Sequence, residues 1–128
     1  MIPAAELARL CQVYGELLGL GDWRLSARYA RRREEINPGS VGQLNWQRHP
    51  AKQAEVLIHP GAGHDHEVTF VHELIHIPLL ECPPKSRREE RLQERAIDTY
   101  ARALVRASRG EANRTGSLPA APDPSPQS

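Results

Sequence analysis

EVTFVHELIHIPLL, residues 67–80, decides how the rest of the chain is read. Val68, Val71, Ile75 and Leu79 recur at helical spacing, so the segment is expected to be a helix that packs by this apolar stripe. Beside the stripe stands His72-Glu73-Leu74-Ile75-His76. Positions four apart share one helix face, so His72 and His76 can offer two imidazoles to one metal ion. Glu73 emerges about 100° round the axis. It does not easily ligate the same ion, but it can reach a water bound there. A zinc ion lowers the pKa of such a water toward neutrality, and a carboxylate at the position of Glu73 takes its proton during attack. Pro78 removes a helical hydrogen bond two residues after His76, so the helix should kink or end nearby, with the CPPK stretch breaking it outright.

A catalytic zinc held by two His needs a third protein ligand, and Glu94 is the leading candidate. On the last predicted helix Glu94 falls beside Ile97, Ala101 and Val105, whereas Arg91, Arg95, Arg102 and Arg106 form a separate basic stripe. A carboxylate at the edge of an apolar face is costly unless a cation compensates it. Asp98, one turn on, could accept a ring N–H from a ligating His and fix its tautomer. The plain alternative pairs Glu94 and Asp98 with neighbouring Arg on a wet surface. Cys82 is a rival third ligand, six residues after His76, but it reads better as a small buried residue near a helix end. His59, His64 and His66, around a Gly-rich loop, are candidates for substrate contact or oxyanion stabilisation, though such residues are more often loop and strand-end groups. Tyr100 could donate to a tetrahedral intermediate, but its helical angle favours the core. Trp23 and Trp46 read as core aromatics.

Outward from this segment the pattern is simple. Residues 4–18 read as a helix, with Leu7, Leu10, Val13, Tyr14, Leu17 and Leu18 at helical spacing and Gly19 beyond. Strands are expected at 23–30, where Trp23, Leu25, Ala27 and Tyr29 alternate with polar residues, at 41–46 and at 54–59. Asn37-Pro38-Gly39 is turn chemistry. A last helix should begin at Ser86, with Ser86 and Glu89 spaced as a capping box, and run to about residue 108. Residues 109–128 hold four prolines, two glycines and almost no large apolar side chain, and are expected to be a flexible tail. The expectation is one α+β domain over residues 1–108, with helices packed on one face of a small three-stranded sheet.

With 128 residues the chain has room for one compact domain, and 39% hydrophobic against 26% charged residues is an ordinary globular balance. A net charge of +1 gives no long-range field for polyanions, and acids interleave the Arg-rich run at 87–91, so no nucleic-acid partner is expected. No stretch approaches a membrane span, residues 1–10 lack the order of a secretion signal, and two scattered Cys make no disulfide framework. A cytoplasmic protein without a membrane partner is the expectation. Should Cys11 and Cys82 meet in space, they could still pair.

The pair HELIH and, eighteen residues after its last His, ERAID resembles the gluzincin class of zinc metallopeptidases, in which a Glu on a following helix completes the metal site. The short form looks like the minimal single-domain gluzincins and the metallopeptidases of phages and mobile elements; more distantly it resembles the ImmA/IrrE-type regulatory proteases. The similarity spans roughly residues 4–108 in element order, but only 72–76 and 94–98 in specific motif. It implies a zincin-like fold and one Zn2+ per chain on His72, His76 and Glu94. It also implies Glu73 as general base and acid, Asp98 orienting a ligand His, and a peptide or protein as substrate. In the class an edge strand before the active helix pairs with extended substrate; by order that strand is 54–59 or 41–46. The segment from Gly110 has no counterpart assigned in the class.

Two other readings compete. One is a zinc-binding regulatory or interaction module of the same fold without turnover. The other, a zinc nuclease or deaminase, fits poorly: three-His nucleases need a further His after His76, and deaminases need a Cys pair at C-x-x-C spacing.

Overall fold

A computed structural model describes the backbone of residues 1–117 and the side chains of residues 1–110. The first helix, α1 (Ala4–Leu17), turns Leu7, Leu10, Cys11 and Tyr14 inward. Gly19, at φ +73°, stops it in the left-handed conformation that glycine takes without penalty. The amide of Leu20 then donates to Gly15 O and that of Gly19 to Glu16 O, the paired bonds of a Schellman end, with Leu20 buried behind them. Strand β1 (Arg24–Tyr29) follows. A short 3-10 turn (Arg33–Glu35), unforeseen from sequence, leads to β2 (Gly42–Gln47) and β3 (Gln53–Ile58).

The sheet order is β1-β3-β2, with β1 parallel and β2 antiparallel to β3. The parallel pairing requires the 30–41 connection to cross from one edge to the other. Arg28 anchors that connection, at 2.9 Å from Glu35 and 3.1 Å from Glu55. Val56 and Ile58 face the helices, and Leu57, on the opposite face, is buried apart from the main core together with Ile36 of the connection. The strands are as expected to within one residue at each end, but 54–59 is not an edge. β3 is flanked on both sides, so of the two candidate edge strands only β2 qualifies.

The second helix, α2 (His66–Ile75), begins at Asp65, whose carboxylate accepts the amides of Glu67 and Val68 at 3.1 Å each. Its buried side is broader than the expected stripe: Val68, Thr69, Phe70, Val71, Leu74 and Ile75. The helix ends five residues earlier than expected. Pro78 has no N–H to give to Leu74 O, and Ile77 takes that carbonyl at 3.0 Å, so the chain tightens into a 3-10 turn (Pro78–Glu81).

The third helix, α3 (Arg87–Ser117), starts as the capping residues indicated: Ser86 Oγ accepts Glu89 N–H at 3.1 Å, and the Glu89 carboxylate accepts Lys85 N–H at 2.8 Å. Ile97, Ala101 and Val105 seat it in the core. It does not stop at 108. Gly110 costs a helix interior only about 1 kcal/mol relative to Ala, and no proline intervenes before 119. Arg109, expected in the tail, instead ties α3 to α2: two bonds of 3.1 Å reach Asp65, while Tyr14 of α1 donates to Glu67 at 2.8 Å. The expected flexibility of residues 118–128 lies outside the described residues. The fold is thus α+β, three helices against a small mixed sheet. Among the described residues no helix is long and apolar enough to cross a membrane.

Candidate metal centre

His72 and His76 stand one turn apart on the partly exposed side of α2, their ring centroids 5.3 Å apart. The early helix end does not displace His76, which keeps helical backbone angles of φ −61° and ψ −26°. Burial lowers the proton affinity of His76 despite the nearby Glu94, which favours the neutral imidazole a metal requires. From α3, one carboxylate reaches both rings: Glu94 Oε1 is 3.0 Å from His72 Nε2 and Glu94 Oε2 is 2.9 Å from His76 Nε2. One ligand atom from each of the three residues lies within 4.8 Å of the other two. Donors round a tetrahedral zinc with bonds of ~2.0–2.2 Å stand ~3.3 Å apart, so a two-imidazole, one-carboxylate set at these separations fits that ion.

Glu73 points elsewhere, into the seam between α2 and β2. Burial pushes its carboxyl up to about 7, helped by the charge of Glu94 and opposed by His72. The seam is narrow because residue 42 is glycine. A Cβ there would lie 2.6 Å from Thr69 Cγ2 and 3.2 Å from both Glu73 Cγ and Oε2. A glycine inside a strand often marks close approach of another group, and the reading of 41–46 as a strand held that signal without using it.

Asp98 stands behind His72 but not in bond contact. Its Oδ1 is 3.7 Å from His72 Nδ1, and its Oδ2 accepts from Arg102 Nε at 2.8 Å. The other candidates lie away from His72, His76 and Glu94. Cys82 is exposed rather than buried, at the end of the 3-10 turn, and outside the cluster; Cys11 is buried, and both thiols are free. A helix that ends at residue 75 carries Cys82 out onto a surface turn. His64 spans Thr69 Oγ1 at 2.6 Å and His59 O at 2.8 Å, and His66 spans Tyr29 Oη at 2.8 Å and Gly61 O at 2.7 Å. These rings tie the Gly-rich loop to the start of α2. Tyr100 is 62% exposed, because its position on α3 lies beyond the Ile97 edge of the buried stripe.

Trp23 is partly buried against the core, as expected of a core aromatic, but Trp46 is not: it is 47% exposed. It lies on the helix-facing side of β2, paired with the buried Ala54, but that side is covered only over part of the strand. The same strand has a free edge. His59 N–H donates to Val41 O at 2.8 Å, which makes 41 and 59 a hydrogen-bonded pair and fixes Gln43 with Leu57, Asn45 with Glu55 and Gln47 with Gln53 as the next ones. Gly42, Leu44 and Trp46 therefore turn their N–H and C=O groups away from β3. Among the described residues no further strand meets them. No protein-family model, curated protein or solved structure matches the chain.

Proposed function

We propose that this chain is a zinc-dependent metallopeptidase of zincin-like fold, holding one Zn2+ on His72, His76 and Glu94 and using Glu73 as general base. The observation that carries the reading is the convergence of two imidazoles from α2 on a single carboxylate from α3, with a half-buried glutamate next to one of those imidazoles in sequence.

Bound zinc supplies Lewis acidity, lowering the pKa of water and polarising a peptide carbonyl. The protein supplies the rest. Glu73 accepts the proton of the attacking water and returns it to the departing amine, a task suited to a carboxyl whose proton affinity lies near neutral pH. Gly42 lets β2 press on Glu73 and so fixes the direction of its carboxylate. The outward N–H and C=O groups of Leu44 and Trp46 add an extended peptide as a fourth strand, which carries a peptide bond toward Glu73 beyond the buried Gly42. Asp98, 3.7 Å from His72 Nδ1, can tighten onto that ring and orient it.

The test is zinc content together with hydrolysis of unfolded casein by wild type and Glu73→Gln. The expected result is one zinc per chain in both proteins and hydrolysis only in the wild type. Zinc in both with hydrolysis in neither would leave a binding module, and absence of zinc would end the proposal.

A further inference from the structure

The exposed indole of Trp46 has no task in the chemistry just described. Sheet edges are usually blunted by charge or proline, whereas this one carries a large exposed apolar side chain within the strand, ahead of Arg48 and Pro50. Trp46 lies on the same face of β2 as Gly42, two alternations along, since Gly42 pairs with Ile58 and Trp46 with Ala54, both inward-facing core residues. The distance along the strand is ~13 Å. The row Gly42, Leu44, Trp46 thus runs from the buried contact with Glu73 out to the exposed indole, and Leu44 and Trp46 carry outward main-chain groups. The indole is held in place: the guanidinium of Arg48 stands over its ring at 5.6 Å and is tethered to Glu81 of the 3-10 turn at 3.0 Å. This pair joins the end of β2 to the segment that follows α2.

Resting on the peptidase reading, we propose that Trp46 is a specificity-determining residue that selects an apolar side chain, Leu or aromatic, four residues from the bond presented to Glu73. A strand added to the β2 edge places one of its helix-facing side chains directly beside Trp46, at the ~4.5–5.5 Å of a cross-strand pair. Aromatic side chains pair there with apolar or aromatic partners, and a polar residue would lose that contact. Gly42 presents no side chain at the opposite end, so selection falls on the Trp46 position and not on the residue over Glu73. The occupant is an unfolded, extended polypeptide, because only an extended chain can meet Leu44 and Trp46 by main-chain bonds in one register and continue toward Glu73.

The chain holds two Trp, so Trp23→Phe leaves Trp46 as the sole indole fluorophore. In full-length Trp23→Phe, Glu73→Gln protein with zinc added, two Trp-free decapeptide pools are titrated, identical except for Leu or Phe against Ser at one fixed position. The Leu/Phe pool should shift Trp46 emission to shorter wavelength and bind roughly three- to fivefold more tightly. In parallel, wild-type cleavage of the pools should favour Leu or Phe four residues from the cut, and Trp46→Ser should cleave without that preference. Unchanged emission with both pools, equal binding of both, or a preference that survives Trp46→Ser would overturn the assignment. Selective binding without wild-type cleavage would retain Trp46 as a peptide-binding residue and remove the peptidase reading instead.

Discussion

Gly42 and Glu73 meet across the seam between β2 and α2 so closely that a methyl group on residue 42 would lie 3.2 Å from the Glu73 carboxylate and 2.6 Å from the Thr69 methyl. Two different penalties follow from one substitution. The Thr69 contact is shorter than carbon atoms tolerate and forces a shift of packed elements, at the ~1–3 kcal/mol typical of an overfilled core. The Glu73 contact can be relieved by turning the side chain, which moves the carboxylate. Gly42→Ala should therefore lose both stability and activity while retaining zinc. Pairing it with Thr69→Ser, which removes the methyl but keeps the hydroxyl that meets His64, should restore thermal stability and leave activity low. Recovery of both together in denaturation and casein assays would show that Gly42 matters for packing alone.

Removal of the proposed zinc ligands gives a second ordering. Glu94 reaches both imidazoles, whereas Asp98 is 3.7 Å from one of them and Cys82 is exposed outside the cluster. Loss of an outer partner of a ligating His costs ~10- to 100-fold in metal affinity. Asp98→Ala should fall in that range, Glu94→Ala beyond it, and Cys82→Ala should bind zinc as the wild type does. Competition with a fluorescent zinc chelator measures all three. A Cys82→Ala protein that loses zinc while Glu94→Ala keeps it would reassign the third ligand.

Much of this site was legible in the chain because helices carry their own register. His72 and His76 are four apart, and Glu94 falls at the rim of the Ile97, Ala101 and Val105 stripe, so each side chain's direction follows from its number. Strand partners follow from no such local rule. A strand at 41–46 was legible, but whether a helix covers the face of Gly42, Leu44 and Trp46 as far as Trp46, and whether β3 or β2 lies at the edge, depends on a crossover that residues 30–41 do not announce. The ends of helices were also imperfectly legible. Pro78 stopped α2 because it removes a donor, whereas Gly110, which only weakens a helix, did not stop α3.

The clasp between Arg109 and Asp65 yields a third prediction. Asp65 has two tasks: its Oδ1 caps the amides of Glu67 and Val68, and both oxygens accept from Arg109. Asp65→Asn keeps the cap and loses the ion pair, which at a half-exposed site contributes ~0–1 kcal/mol. Asp65→Ala loses both, with the cap adding ~0.5–2 kcal/mol. Urea denaturation should therefore rank wild type above Asn above Ala. In the Arg109→Ala background the Asn substitution should become nearly neutral, and an undiminished Asn effect there would show that the two side chains are not coupled.

The pH dependence of the metal-free protein tests the burial of Glu73. Its carboxyl is raised from 4.5 to about 7, chiefly by burial. Below pH 4.5 the group is protonated whether the chain is folded or not, and contributes no pH dependence. Between 4.5 and about 7 the folded state binds more protons than the unfolded state, so stability falls as pH rises, and above that window the loss is complete. The span corresponds to about 3 kcal/mol at ~1.4 kcal/mol per decade of proton affinity. Glu73→Gln cannot ionise and escapes the loss. With a chelator present, its stability should match the wild type near pH 4.5 and exceed it increasingly toward pH 8, as thermal or urea denaturation would record. Added zinc should narrow the gap, since a cation held by the adjacent His72 stabilises the ionised carboxylate. A constant difference between the two proteins from pH 4.5 to 8 would mean that Glu73 is solvated rather than enclosed, and the seam formed by Gly42 would lose its role in tuning the base.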